Sequence, residues 1–316
     1  MLYCSRKAYP YWILMLQTAR QSLLKSLILA LACLACAGAQ APAPEALAAL
    51  RQRAAKGYAE AQTSLGNLYR NGQGVRQDLA EAARWYRKAA DQGYAEAENA
   101  LGFLYDYGGG LPIDHQEAAR WYRKAADQGY AEAQFNLGSL YDLGQGLPTD
   151  HAEAARWYRR AADQGEPDAE FDLGVMYEEG QGVAKDFAEA ARWYRKAAEQ
   201  QIPIAQLSLG RMFADGRGVT RDPAEAARWY REAADLGLAS AQFELSVAYS
   251  GGLGLPQDLT SAYEWMDLAV FRSLGLAREK YAAARDALAA RMTPEQIAEA
   301  RRRADTWKAR GSYSIH

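Results

Sequence analysis

Beyond residue 36 this chain of 316 residues has no cysteine: Cys4, Cys33 and Cys36 are the full complement. The rest of the molecule can form neither a disulfide nor a thiolate metal cluster, and its stability must come from packing. Histidine is nearly as scarce. With only His115, His151 and His316, a Ser-His-Asp or Cys-His arrangement cannot be assembled within the body of the protein. His115 and His151 each follow an aspartate and stand 36 residues apart. On adjacent helix pairs they would lie roughly 10 Å from each other, too far to share one ion, so they read as exposed helix-start residues. The motif S-x-x-K occurs only as Ser22-Leu23-Leu24-Lys25, which argues against serine acyl-enzyme chemistry in the body. Few segments alternate with period two, and the class is therefore all-α.

A concentrated basic face is also missing. Residues 1–39 hold four bases and no acid, which leaves 37 − 4 = 33 basic against 39 acidic residues in the remainder, a net of −6. A mixed-sign, mildly acidic body is a poor match for phosphate backbones, and no nucleic-acid partner is expected. Long apolar runs are missing too. The stretch from Ser26 through Ala39 is short for a membrane-spanning helix. Lys25 before it and Ala37-Gly38-Ala39 at its end give it the form of a secretory signal, with Met15 as a plausible start. Residues 1–39 are thus expected to be a targeting segment, cleaved near Ala39 to leave a periplasmic or secreted chain with no membrane span. An uncleaved anchor, or lipidation at Cys33 or Cys36, are the alternatives.

What is present is a period. Trp85, Trp121, Trp157, Trp193, Trp229 and Trp265 are each 36 residues from the last, a spacing that marks stacked structural repeats. Each unit reads as two helices. The first carries Ala-x-x-x-Leu-Gly-x-Leu-Tyr on one face, as at Ala97, Leu101, Gly102 and Tyr105. Its mid-helix glycine (Gly66, Gly102, Gly138, Gly174, Gly210) costs about 1 kcal/mol in propensity, which predicts close approach by a neighbouring helix backbone. A G-x-G loop follows; it never continues into G-K-[ST], so it is read as a turn and not a phosphate loop. Next comes an aspartate three residues before a glutamate, as at Asp78/Glu81 and Asp186/Glu189, which predicts a capping box. The sixth copy has Ser261 in place of the glutamate, and its cap is expected to be weaker. The second helix, with its Trp/Tyr pair, is apolar on more than one face and is expected to be sandwiched between neighbours. It ends at a glycine suited to a left-handed cap, except at Gln201.

These readings divide the chain into residues 1–39 (targeting), 40–56 (linker and N-terminal capping helix), 57–272 (six repeats) and 273–316 (C-terminal capping helices and tail). The final helix is expected to start at Thr293-Pro294-Glu295-Gln296 and end near Lys308, with a loose tail from Gly311.

Helix pairs of the form LGxLYxxGxGVxxD followed by EAARWYRKAAxQG, over about residues 46–272, resemble the Sel-one-like repeat family, cousins of tetratricopeptide repeats. The resemblance implies a right-handed α/α solenoid that serves as a non-enzymatic scaffold for protein–protein interaction, in bacteria often in the periplasm or at the envelope. It implies no cofactor and no metal. A cysteine-rich subgroup is linked to β-lactam binding, and this chain lacks its cysteines. A cell-wall binder is the other reading.

Columns that are identical in every copy are explained by packing; columns that vary are free to recognise a partner. Three variable columns on the first helices share a face. They contain Phe103, Asp106, Asn136, Asp142, Asp172, Val175, Glu178 and Arg211, with Glu179 alongside. The acidic middle and the apolar points Phe103 and Val175 predict a protein or peptide segment bearing basic and apolar residues.

Overall fold

The computed structural model describes residues 42–312, with side chains as far as Lys308. The expected targeting segment, its cysteines and His316 lie outside the described residues. Among the described residues there are fifteen helices and no strand, and no helix is long and apolar enough to cross a membrane. An opening helix α1 (Pro44–Ala55) precedes six hairpins. Their first helices are α2 (Ala59–Asn71), α4 (Ala95–Tyr107), α6 (Ala131–Leu143), α8 (Pro167–Glu179), α10 (Pro203–Asp215) and α12 (Ala239–Gly251). Their second helices are α3 (Leu79–Ala90), α5 (His115–Asp127), α7 (His151–Ala162), α9 (Phe187–Glu199), α11 (Pro223–Asp235) and α13 (Leu259–Arg272). The chain closes with α14 (Gly275–Ala289) and α15 (Pro294–Ser312), so the last helix runs four residues past Lys308. Two compact units are present, one through Tyr130 together with Gln145–Leu147, the other of Ala131–Gly144 and Pro148 onward.

Local chemistry sets the start of each second helix. Asp78, Asp114, Asp150, Asp186, Asp222 and Asp258 are N-caps whose carboxylates accept from first-turn amides, worth about 1 kcal/mol each. The other half of the expected capping box is absent. The cap residue's own amide goes instead to a carbonyl near the end of the preceding helix, as in Asp114 N–H to Tyr105 O and Asp186 N–H to Tyr177 O, both 2.9 Å. The glutamates turn outward to an arginine three residues on, as in Glu117–Arg120 at 2.6 Å. The weaker sixth cap is also corrected. Ser261 donates its hydroxyl to Asp258 at 2.6 Å, and the amides of Thr260 and Ser261 bond the same carboxylate. A reciprocal box does form at the last helix, where Gln296 and Thr293 bond each other's backbone amides.

Packing within a hairpin rests on the mid-helix glycine. A Cβ at Gly174 would lie 2.7 Å from the Tyr194 ring, and one at Gly102 2.7 Å from Tyr122. An aromatic ring fills the space the glycine leaves, and the expected helix backbone also comes close: a Cβ at Gly138 would lie 3.3 Å from Ala154 O and one at Gly210 3.2 Å from Ala226 O. The second glycine of each G-x-G does more than turn the chain. At Gly182 and Gly218 a Cβ would meet the backbone at His151 and Phe187, at the start of the preceding repeat's second helix, within 2.1 Å. These loops are therefore docking points between successive repeats. The tryptophans and tyrosines of the second helices are core residues: Trp121, Trp157, Trp193 and Trp229 and Tyr86, Tyr122, Tyr158, Tyr194 and Tyr230 are all buried. Gln201 keeps the left-handed backbone of the glycines it replaces, at φ 62°, and is the one non-glycine with positive φ among the described residues.

Candidate interaction face

Within the first unit, Phe103 is half-buried and stacks on Tyr107 with ring centroids 4.4 Å apart. Asp106 is buried, its Oδ1 2.7 Å from Nδ1 of His115. His115 is thus no free helix-start residue; it holds the carboxylate of its own repeat. The second unit repeats the device, with Asp142 Oδ1 2.7 Å from Nδ1 of His151. Asp106 and Asp142 therefore spend part of their charge on contacts inside their hairpins.

Asn136, Asp142, Asp172, Val175, Glu178 and Arg211 all belong to the second unit. Val175 is buried, so it is not an apolar point offered to a partner. Glu178 accepts from the Tyr194 hydroxyl at 2.8 Å and pairs with Arg217 at 2.9 Å. Arg211 reaches across to Glu244 of the next repeat at 2.8 Å. Asn136 and Asp172 are half-buried on the same helices. What remains is a face crowded with carboxylates. The Glu179 carboxyl is pushed above its ordinary value by burial and by Glu178, with Lys185 opposing and Asp142 adding to the rise. At the other end of α8, away from this strip, Glu166 is pushed up by burial and by Asp168 and Glu132. Crowded like charges raise proton affinity because each carboxylate disfavours ionisation of the next.

Sequence reading missed a buried polar column on the first helices. Gln62, Glu98, Gln134, Glu170, Gln206 and Gln242 are all buried. Four of them accept from a glutamine thirty residues on: Gln92 to Gln62 at 2.8 Å, Gln128 to Glu98 at 2.6 Å, Gln164 to Gln134 at 2.8 Å and Gln200 to Glu170 at 2.9 Å. The signal was available, since both positions recur with the repeat period. Gln62, Gln206 and Gln242 also donate to an alanine carbonyl eight residues back, and where the partner glutamine becomes Leu236, Gln206 adds a bond to Glu232. Burial with these hydrogen bonds marks the column as structural, although Gln206 Oε1 and Gln242 Oε1 find no hydrogen-bond partner among the described residues. No group of three or more His, Cys, Asp or Glu side chains arranged to hold a metal is found among the described residues.

The Sel1 repeat family model matches residues 59–94, 95–130, 131–166, 167–201, 203–238 and 239–270. Among solved structures, the chain is similar to c5321, a protective antigen present in uropathogenic Escherichia coli strains with an SLR fold. The two are 38% identical with a TM-score of 0.73, over 82% of this chain and 56% of that one, so this chain spans little more than half of that protein's length. It is also 38% identical to a Sel1 repeat protein from Oxalobacter formigenes, with a TM-score of 0.61, over 68% of this chain and 86% of that one. No curated protein matches the chain.

Proposed function

Since the chain belongs to the Sel1 repeat family, whose repeats mediate protein–protein interaction, we propose that it is a non-enzymatic scaffold working in the periplasm or outside the cell. Its partner is a protein or peptide segment with basic residues, held on the first-helix face of α6, α8 and α10. The observation that carries this reading is the carboxylate crowding at Glu179, where burial and the charges of Glu178 and Asp142 raise proton affinity. A cationic partner would relieve that repulsion. In a repeat stack the packing columns are held constant, and recognition is left to such variable positions. The resemblance of residues 1–39 to a cleaved signal supports the extracytoplasmic location.

The test is crosslinked co-purification of the full chain from its native envelope, read by mass spectrometry. Asp142 and Glu178 hold His151, Tyr194 and Arg217 within the fold, so reversing them would confound binding with folding. Glu179→Lys is the cleaner probe. The expected result is one dominant protein partner, lost in this variant at unchanged melting temperature. Retention of that partner would rule out this face. Enrichment of peptidoglycan instead of protein would favour a cell-wall binder.

A further inference from the structure

The α13–α14 turn carries the most exposed large apolar side chains of the described residues. Leu274 is 83% and Leu276 79% exposed, with Phe271 at 57% and Leu236 at 50%. Leu236 belongs with them, because the next residue, Gly237, lies against the Arg272 guanidinium: a Cβ there would be 3.5 Å from it. Isolated exposed leucines are ordinary, but a contiguous group on one tip marks an interaction site.

The charges around the tip have one sign in excess. Arg272, Arg278 and Lys280 are exposed close in sequence to Leu274 and Leu276, with Glu279 among them and Asp235 beside Leu236, three bases against two acids. Arg272 lies over the Trp307 ring at 5.1 Å and Lys280 over Phe243 at 4.8 Å. None of the three bases takes part in an ion pair among the described residues. The neighbouring carboxylates are already engaged: Asp267 holds Arg285 and Lys308, and Asp286 holds Arg285. The leucines sit at the start of α14, where no side chain caps the helix.

We propose that this turn is a peripheral docking element for an anionic lipid bilayer. Leu274, Leu276 and Phe271 would enter the boundary between headgroups and acyl chains, and Arg272, Arg278 and Lys280 would meet lipid phosphates. Exposed apolar tips ringed by unpaired bases have this chemistry, apolar below and anionic at the rim. The turn rests on the surface and does not span, consistent with the lack of any helix long and apolar enough to cross a membrane among the described residues.

The apolar run from Ser26 to Ala39 can itself hold the full chain on vesicles, so the readout has to be local. Amide hydrogen exchange of full-length protein is measured over residues 270–278, with phosphatidylglycerol-containing vesicles and with pure phosphatidylcholine vesicles. Exchange is expected to slow by about tenfold or more on the anionic vesicles only, since each base near such a surface is worth about fivefold in affinity and each inserted leucine about tenfold. Leu274→Ser with Leu276→Ser should abolish the slowing, and so should Arg272→Glu with Arg278→Glu and Lys280→Glu. The leucines are exposed, so the fold should be unaffected; if the double variant melts lower, Leu276→Ser alone serves. Equal slowing on both lipids, or slowing that survives the leucine variants, overturns the proposal. Slowing that needs no lipid and grows with protein concentration overturns it in favour of self-association.

Discussion

The fourth and sixth hairpins solve the same packing problem with different residues. In α8 and α9, Gly174 leaves room for the Tyr194 ring, which also donates its hydroxyl to Glu178 at 2.8 Å. In α12 and α13 the corresponding positions are Ser246 and Met266. The serine hydroxyl instead reaches the Ala262 carbonyl at 2.6 Å, and both residues are buried. Glycine and tyrosine disappear together, so the glycine is matched to the ring. The same hairpin replaces the glutamate after its cap by Ser261, which binds the cap directly. A repeat can therefore depart from its consensus when the departure is matched by a contact partner.

The largest effect should come from breaking the glycine–tyrosine match. Gly174→Ala should destabilise by roughly 1–2 kcal/mol, because overpacking costs about 1–3 kcal/mol and outweighs a propensity gain of about 1 kcal/mol. Gly174→Ser combined with Tyr194→Met should recover about 1 kcal/mol or more relative to the sum of the single changes, as contacting positions couple. Denaturant melts of the four proteins of this cycle measure it, and strict additivity would mean that the two positions do not form one unit.

A departure with no match is next. Gln201 holds a left-handed backbone that its side chain does not need. Gln201→Gly should stabilise by about 1 kcal/mol, read as a rise in melting temperature. Nothing in the structure accounts for the glutamine. A fall in melting temperature on substitution would show that its side chain makes a contribution.

The smallest effect concerns the buried column, where glutamates alternate with glutamines. Burial raises the carboxyls of Glu98 and Glu170 above their ordinary value, against the pull of the Gln128 and Gln200 amides and of Lys124 and Lys196. An acid whose folded pKa is raised favours folding below its unfolded value and loses that contribution as pH rises through the folded one. Glu98→Gln with Glu170→Gln should therefore stabilise at pH 7, and the gain should vanish as pH falls below the ordinary glutamate value of about 4.3. The equivalent Gln62–Gln92 and Gln134–Gln164 pairs show that the hairpin accepts the neutral residue. A gain independent of pH would mean that packing and not ionisation sets it.

Most of the fold was legible because it is written in interactions of short range. The N-cap aspartates, the prolines at the start of α8, α10 and α11, and the left-handed glycines act within three or four residues. The tryptophan period then multiplies each signal. The candidate face was less legible. Phe103, Val175 and Glu178 stand in variable columns, yet Val175 is buried and Glu178 is bonded to Tyr194 and Arg217, 16 and 39 residues away. The histidines looked solvated until the structure placed Asp106 and Asp142 against them. Partners that occur in one repeat only, such as Glu178 with Arg217, leave no periodic pattern in the sequence, because many residue types are compatible with a given helix position.

By itself, the amino-acid sequence determined that the chain is an all-α solenoid of Sel1 repeats, where its helices begin, and which columns vary. Helix propensity, capping and apolar periodicity are local and repeat six times, so they needed no coordinates. Only the tertiary structure decided that the mid-helix glycines receive a tyrosine ring, that loop glycines dock on the preceding repeat, and that Leu274 and Leu276 stand in solvent near bases with no ion pair among the described residues. Those outcomes depend on which surfaces meet when hairpins stack, and packing at a few ångströms is decided by the whole neighbourhood and not by any one segment.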